Sequence, residues 1–466
     1  MALLSIITLK LITTYLGKAG YGEYTTIYEF IGFFAIFADM GIYTIAVHEM
    51  SRDESQRAYV IGNIMGLRAL LSFVMMFLAI VAAFLLPQYQ GGNIPYGVVI
   101  VSITTFLNLL FGTVVSIFQI YYKMHYSAFT LVLGKIAMLI YITTAVYLDL
   151  GFYHLLIAGV LGTAIMYSLT SYLARKLISF QYRFDFDFWK KVIFRAAPGG
   201  IALILNNIYF RVDVVLLSLC LPTKTAFLQT GVYGVAIRIL DMLMVIPVFF
   251  MNSVLPVLTK NYKENQEKFF EVIQLAFEFL IITGLPIVVG GLMLSRGIIA
   301  FVSSEEFLSG PNFYGSDFVV NVLLIALFFT FLNFLFGFLF IVDRKPLKLL
   351  TITASAVVFN IVSSIFFIPE FGLVATVITS VISQAMILIF TFILSRKYLK
   401  FSLHLKNTFK SIFAALCMWA ALYAVLFLIG NKYSWIVAGF IGCLVYAGVL
   451  FMTGVIDKDR LKMLKK

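Results

Sequence analysis

Charged side chains inside apolar helices are the residues of this sequence best suited to do chemistry. A charge at bilayer depth costs about 2.5–3.5 kcal/mol on insertion scales, so it pairs or lines a wet cavity. The segment YFRVD carries Arg211 and Asp213, and beyond it Arg238 and Asp241 lie three residues apart, on one helix face, where they can pair locally. Lys10, Glu29, Asp39, Arg68, Lys135 and Glu278 also fall in or near apolar runs. The guanidinium of Arg211 can grip a phosphate bidentately, and a surplus of cations around a cavity would favour an anionic ligand. Lys135 lies deep in its run with no acid within one helical turn, so it is either wet or paired across helices. Arg68 lies near the start of its run, where snorkelling to the headgroups explains it as well as a ligand contact does. Arg238 joins Arg211, Lys135 and Arg68 as a candidate ligand cation. Glu29, Asp39, Asp213 and Asp241 are candidates for ion coupling or for charge pairing, and pairing that merely holds helices in register is an equal explanation for Asp213, Arg238 and Asp241.

Other chemistries find little support. The four histidines, His48, His125, His154 and His404, sit at loops or loop edges, which argues against an intramembrane histidine relay. Cys220, Cys417 and Cys443 lie in apolar runs without a CxxC spacing; they offer neither a disulfide framework nor a metal site and read as small core residues. No catalytic residue, metal or cofactor is expected. In the outer loop SSEEFLSGPNFYGSD, which also holds Asp317, the adjacent Glu305 and Glu306 read as a solvated patch rather than an acid/base pair.

The elements that must position these charges are membrane helices. Of the 466 residues 62% are hydrophobic and 12% charged, and the mean hydropathy is +1.01. Soluble domains carry about 25% charged residues, so a soluble multidomain enzyme is excluded. A spanning helix needs about 20 apolar residues, and fourteen such runs are expected, beginning with 2–16 and 25–47 and ending with 410–429 and 433–454. The longest connections, 174–196 and 294–315, leave no room for an ordinary soluble domain. The first run begins at Met1 without a flank or a cleavage site, and reads as clipped rather than as a signal peptide. Lysine and arginine gather in the loops after even-numbered runs and in the C-terminal tail. Loops after odd-numbered runs hold only Lys18, Lys224, Arg296 and Lys432. Both termini are therefore expected in the cytoplasm. The net charge of +12 thus reports topology and contact with anionic lipid, with no basic module for nucleic acid.

The chain also matches itself. GYGEYTTIYE faces VYGVAIRILD, pairing Tyr21 with Tyr233, Gly22 with Gly234 and Glu29 with Asp241, and the segment from Asp149 to Lys176 faces that from Glu370 to Lys397. Six spans repeat as six, which makes a parallel repeat about an axis along the membrane normal. The expected organisation is an N-terminal lobe at 1–176, a cytoplasmic linker at 177–196, a C-terminal lobe at 197–397, and two added spans with a basic tail at 398–466. Pro198 with Gly199, Pro247 and Pro286 are candidate hinges, although helix packing alone would also explain them.

The segments TTYLGKAGYGEYTTIYEFIGFFAIFADMGI, YFRVDVVLLS, GVYGVAIRILDMLMVIPVFFMNSVLPVLTKNY and NIVSSIFFIPEFGLVATVITSVISQ resemble, in order along nearly the whole chain, the Wzx-type polysaccharide (O-antigen) flippases. These belong to the multidrug/oligosaccharidyl-lipid/polysaccharide exporter superfamily. The resemblance implies a MATE-like all-α fold of fourteen transmembrane helices, in two six-helix lobes around a central cationic cavity. It also implies passage of a polyprenyl-diphosphate-linked oligosaccharide from the cytoplasmic to the outer leaflet of the cell inner membrane, with polysaccharide polymerase machinery as a further partner. The family's R-x-D and P-x-L positions fall here on Arg211, Asp213 and Pro256. Two alternatives stay open: a cation-coupled drug or organic-cation antiporter of the same superfamily, which would want an acidic or aromatic cavity, and a membrane polysaccharide polymerase, which would want catalytic groups in a large outer loop.

Overall fold

In lipid a backbone must satisfy its own hydrogen bonds, which leaves this sequence the helix as its one economical choice. A computed structural model describes residues 2–431 and 433–455, the side chains of Ala2 and of residues 195–210 excepted. The hinge candidates Pro198 and Gly199 fall in that exception and lie outside the described residues. Among the described residues the chain folds into fourteen α-helices: α1 (Ala2–Asp39), α2 (Ile42–Arg52), α3 (Arg57–Leu85), α4 (Ile94–Ile120), α5 (Met124–Tyr147), α6 (Phe152–Arg175), α7 (Phe186–Cys220), α8 (Thr223–Glu264), α9 (Gln266–Val302), α10 (Ser316–Val342), α11 (Pro346–Phe371), α12 (Leu373–Leu399), α13 (Lys406–Ile429) and α14 (Ser434–Met452). Among the described residues twelve stretches are long and apolar enough to cross a membrane, with α1 and α2 counted as one. The chain is an all-α polytopic membrane protein.

The first two expected spans are drawn differently in the structure. No loop separates them; α1 runs through both, kinked at Gly17, whose φ of 64° and ψ of −173° suit a residue without a Cβ. The true break comes later, at Met40 and Gly41, both with positive φ. Two long connections also shrink. Asp185 accepts hydrogen bonds from the Asp187 and Phe188 amides at 3.0 and 3.1 Å and so starts α7 inside the expected linker. Asn265 caps α9, which continues to Val302. Pro247 and Pro286 lie within the continuous helices α8 and α9.

The chain divides into two compact units, residues 1–234 with 365–372, and 235–364 with 373–466. In unit 1, α7 and the first turns of α8 are gathered in by close contacts with α1. A Cβ on Gly22 would come 1.7 Å from the Phe227 carbonyl oxygen, and one on Gly231 2.1 Å from that of Lys18. Gly234 lies close against Thr25. The segments GYG and VYG, which match each other in sequence, are thus the same segments at which α1 and α8 make their close approach. Between α5 and α6, Gly134 and Gly162 allow a similar approach. A second core surrounds the buried Trp189, with Ile61, Met65, Ile117 and Phe118.

Unit 2 packs α10 against α9 and α12, and seats α13 and α14 beside α9 through Leu294, Met418, Leu422 and Tyr446. The sequence NIVSS…TVITSVISQ forms a buried polar seam in this unit, with Ser364 and Thr379 hydroxyls 3.3 Å apart and Asn333 Nδ2 donating to Gln384 Oε1 at 2.8 Å. Cys443 is exposed and Cys220 and Cys417 are half-buried, so the cysteines do not serve as core residues. Asp317 is buried: it accepts from the Ser309 amide and hydroxyl, both at 2.7 Å, and closes the loop ahead of α10.

Candidate functional site

Unit 1 holds the principal charge pair. Glu29 on α1 is 7% exposed at its side chain, and its Oε2 accepts from Arg211 Nη1 of α7 at 2.7 Å. Arg211 remains 38% exposed, so part of its donor fork is still presented outward. Gly32, one helical turn after Glu29, makes room for it. A Cβ there would lie 2.4 Å from Arg211 Nη1. Sequence reasoning did not single out Gly32, although its i,i+3 spacing from Glu29 was a usable signal.

Two residues on, Asp213 faces another way because successive helical positions turn by about 100°. It is buried, and its Oδ2 accepts from the Tyr233 hydroxyl at 2.8 Å. The R-x-D motif therefore divides its labour: Arg211 joins α7 to α1, while Asp213 joins it to the start of α8.

Arg68 on α3 is 3% exposed. It donates to Asp39 Oδ1 at 2.5 Å and to the Asp39 carbonyl oxygen at 3.0 Å, tying α3 to the end of α1. A lipid-facing, snorkelling arginine is excluded by that burial. Arg238 and Asp241 pair at 3.8 Å along α8 in unit 2, both substantially exposed, as their spacing suggested. Lys135 is exposed on α5. Glu278 in unit 2 is buried and accepts from Gln274 Nε2 at 2.7 Å and Asn407 Nδ2 at 2.9 Å, which joins α9 to α13. The structure thus brings each of three candidate cations, Arg68, Arg211 and Arg238, to a carboxylate; the expected cation surplus is largely neutralised at these three.

A second device escaped the sequence reading. Residues 181–189 are strapped to α3: the Arg183 amide donates to the Gly62 carbonyl at 3.1 Å, the Asp185 amide to Asn63 Oδ1 at 3.0 Å, and Trp189 Nε1 to the Asn63 carbonyl at 2.9 Å. The Tyr59 hydroxyl donates to Asp185, and with the Phe188 amide holds that carboxyl below its ordinary range. Among the described residues no group of histidine, cysteine, aspartate and glutamate could hold a metal ion.

The sequence profile described as "Polysaccharide biosynthesis protein" matches residues 1–262, more than half of the chain and nearly all of unit 1 as well as the Arg238–Asp241 pair. The chain belongs to that family. Comparison with curated proteins finds no match. Among solved structures, this family member is similar to a lipid II flippase MurJ in an inward closed conformation, with a TM-score of 0.75 at 16% identity over 98% of this chain and 97% of the other. It is similar also to a multidrug resistance MATE family transporter of the MOP superfamily in its inward-facing conformation, with a TM-score of 0.66 at 14% identity over 86% and 95%. A MOP superfamily transporter from Pyrococcus furiosus gives 0.56 at 15% identity over 86% and 96%. The fold is that of the MurJ and MATE structures.

Proposed function

We propose that the protein is a Wzx-type flippase that moves a polyprenyl-diphosphate-linked oligosaccharide from the cytoplasmic to the outer leaflet of the inner membrane by alternating access, with both termini in the cytoplasm. The observation that carries this reading is the Arg211–Glu29 pair. A partly exposed guanidinium at membrane depth, steadied by a buried carboxylate and accommodated by Gly32, is suited to exchange or share its carboxylate partner for a phosphate oxygen. A diphosphate without countercharge would bear the full desolvation cost of an ion. Membership of a polysaccharide biosynthesis family supports a glycan cargo, and the shared fold supports transport over polymerisation.

In this reading residues 1–176 and 197–397 are the two halves of the repeat that alternate, with 177–196 between them and 398–466 added. Lys135, Arg68 and Arg238 are further cations along the route, Arg68 acting through Asp39. Glu29, Asp39, Asp213 and Asp241 are the carboxylates available for ion coupling. Pro247 and Pro286 supply bending points. The basic loops meet anionic lipid, and polysaccharide polymerase machinery receives the product.

The test is flipping of a fluorescent polyprenyl-diphosphate oligosaccharide in proteoliposomes, comparing wild type with Arg211→Ala and Lys135→Ala, with and without a pH gradient. Loss of transport at full protein insertion is the expected result. Full transport by both variants would overturn the role of Arg211 and Lys135 in gripping the diphosphate, and uptake of organic cations with no movement of the lipid-linked glycan would replace this reading with the antiporter.

A further inference from the structure

At the end of unit 1 opposite its basic loops, four helices bring together a polar network that the charge pairs do not use. Asn93 stands immediately before α4, where an asparagine ordinarily turns its oxygen onto the second or third amide of the helix. It makes no such bond here, and Pro95 at the second helical position has no N–H to offer. The side chain instead bridges sideways. Asn93 Nδ2 donates to Glu23 Oε2 of α1 at 2.7 Å, and Asn93 Oδ1 accepts from the Tyr153 hydroxyl of α6 at 3.0 Å. Glu23, Asn93 and Tyr153 are all half-buried, and among the described residues no cation pairs with Glu23. Beside them Tyr96, 61% exposed, stands edge-on to Phe84 of α3, with ring centroids 5.8 Å apart and planes at 86°. Tyr96 lies three residues after Asn93, in the first turn of α4.

We propose that Glu23, Asn93, Tyr153 and Tyr96 form a glycan-binding subsite that takes neutral sugar units of the transported oligosaccharide. The proposal rests on the flippase reading for its ligand and for placing this end at the outer leaflet. Vicinal sugar hydroxyls are donors and acceptors together, and the network offers both: the Glu23 carboxylate as acceptor, the second Asn93 N–H as donor, and the Tyr153 oxygen as acceptor. The apolar C–H face of a sugar ring needs a flat apolar surface, and Tyr96, propped by Phe84, supplies one with a polar tip. A phosphate is disfavoured by the charge of Glu23. An organic cation is less well matched, because one open ring and a carboxylate already hydrogen-bonded to an amide make no aromatic cage.

The experiment is binding of the detergent-purified full chain to an array of neutral oligosaccharides, with tetraphenylphosphonium as the cation probe. Wild type is compared with Glu23→Gln, Tyr96→Ala and the control Gly112→Ala, whose added Cβ meets nothing within 4 Å, and the melting temperature of each is recorded. The expected result is that wild type and Gly112→Ala retain at least one class of glycan. Glu23→Gln and Tyr96→Ala weaken that class tenfold or more without a shift in melting temperature. Equal glycan binding by all four proteins, no glycan binding by wild type, or loss in the variants of tetraphenylphosphonium binding alone would overturn the subsite. Flipping of a polyprenyl diphosphate bearing one sugar, measured in parallel, separates the two readings. Glycan binding without flipping removes the flippase and leaves the subsite, and flipping without glycan binding does the reverse.

Discussion

Glu29 and Arg211 lie 182 positions apart in the chain and meet at 2.7 Å, the one 7% and the other 38% exposed. The asymmetry of exposure decides what each can do. Glu29 is committed to its partner, since a buried carboxylate left alone is costly. Arg211 has donors to spare, and a ligand can reach it.

Arg211→Ala should therefore lower stability as well as transport. About 2 kcal/mol is expected, below the roughly 3–5 kcal/mol of a fully buried pair because Arg211 is partly solvated. Adding Glu29→Gln removes the stranded carboxylate and should restore most of the stability, with transport still reduced at least tenfold. Thermal melting and proteoliposome flipping of the single and double variants check this. Recovery of both together would show that Arg211 has only a packing role.

The Arg68–Asp39 pair should respond unequally to loss of either partner. Arg68 is buried, whereas the Asp39 side chain is 48% exposed. Asp39→Ala strands a buried cation and should cost about 3–5 kcal/mol. Arg68→Met leaves a carboxylate that water can reach and an apolar stem in an apolar place, and should cost under about 1.5 kcal/mol. Urea or thermal unfolding of the two variants gives the order; the reverse order would contradict the burial argument.

The strap over α3 carries a pH prediction. The Asp185 carboxyl is held below its ordinary value of 3.8, first by the Tyr59 hydroxyl and then by the Phe188 amide. A depressed folded value stabilises the strap above that ordinary value and withdraws the contribution as pH falls through the lower one. Amide hydrogen exchange at Asp187 and Phe188 should show unchanged protection from pH 7 to about 5 once intrinsic rates are divided out, and a loss only in stronger acid. Tyr59→Phe should move that loss upward in pH, toward the ordinary carboxyl range. Asp185→Asn should reduce protection across the whole interval.

Two helix glycines should respond to alanine with opposite signs. Gly22→Ala drives a Cβ to 1.7 Å from a backbone oxygen and requires α1 and α8 to part, which should abolish stable insertion or cost about 3 kcal/mol or more, the upper end of the usual scale of overpacking. Gly112, inside α4 with open space around its Cβ position, should gain about 0.5–1 kcal/mol as alanine. Melting temperatures of the two variants in the same detergent make the comparison.

Much of the architecture is legible in the chain itself. Apolar runs of about 20 residues have one stable form in lipid, so the all-α class and most of the helices follow from local sequence alone, the joining of the first two runs in α1 excepted. The helix faces follow too, where spacing is short: Arg238 and Asp241 pair as i,i+3 neighbours do. The repeat pairs Gly22 with Gly234 and Tyr21 with Tyr233, and it is visible because polar and glycine positions stand out against an apolar ground.

The sequence by itself determined that this chain spans a membrane with ionisable residues inside it; only the tertiary structure decided which charge meets which. Helical periodicity says what face a residue occupies and nothing of which helix comes to lie against that face, so Glu29 finding Arg211, Asp39 finding Arg68 and Asn63 holding Trp189 were beyond reach. Small residues set the outcome. Gly32 lets the guanidinium in, and Gly22 and Gly231 bring α8 onto α1, because at those points a single methyl group is the difference between contact and collision.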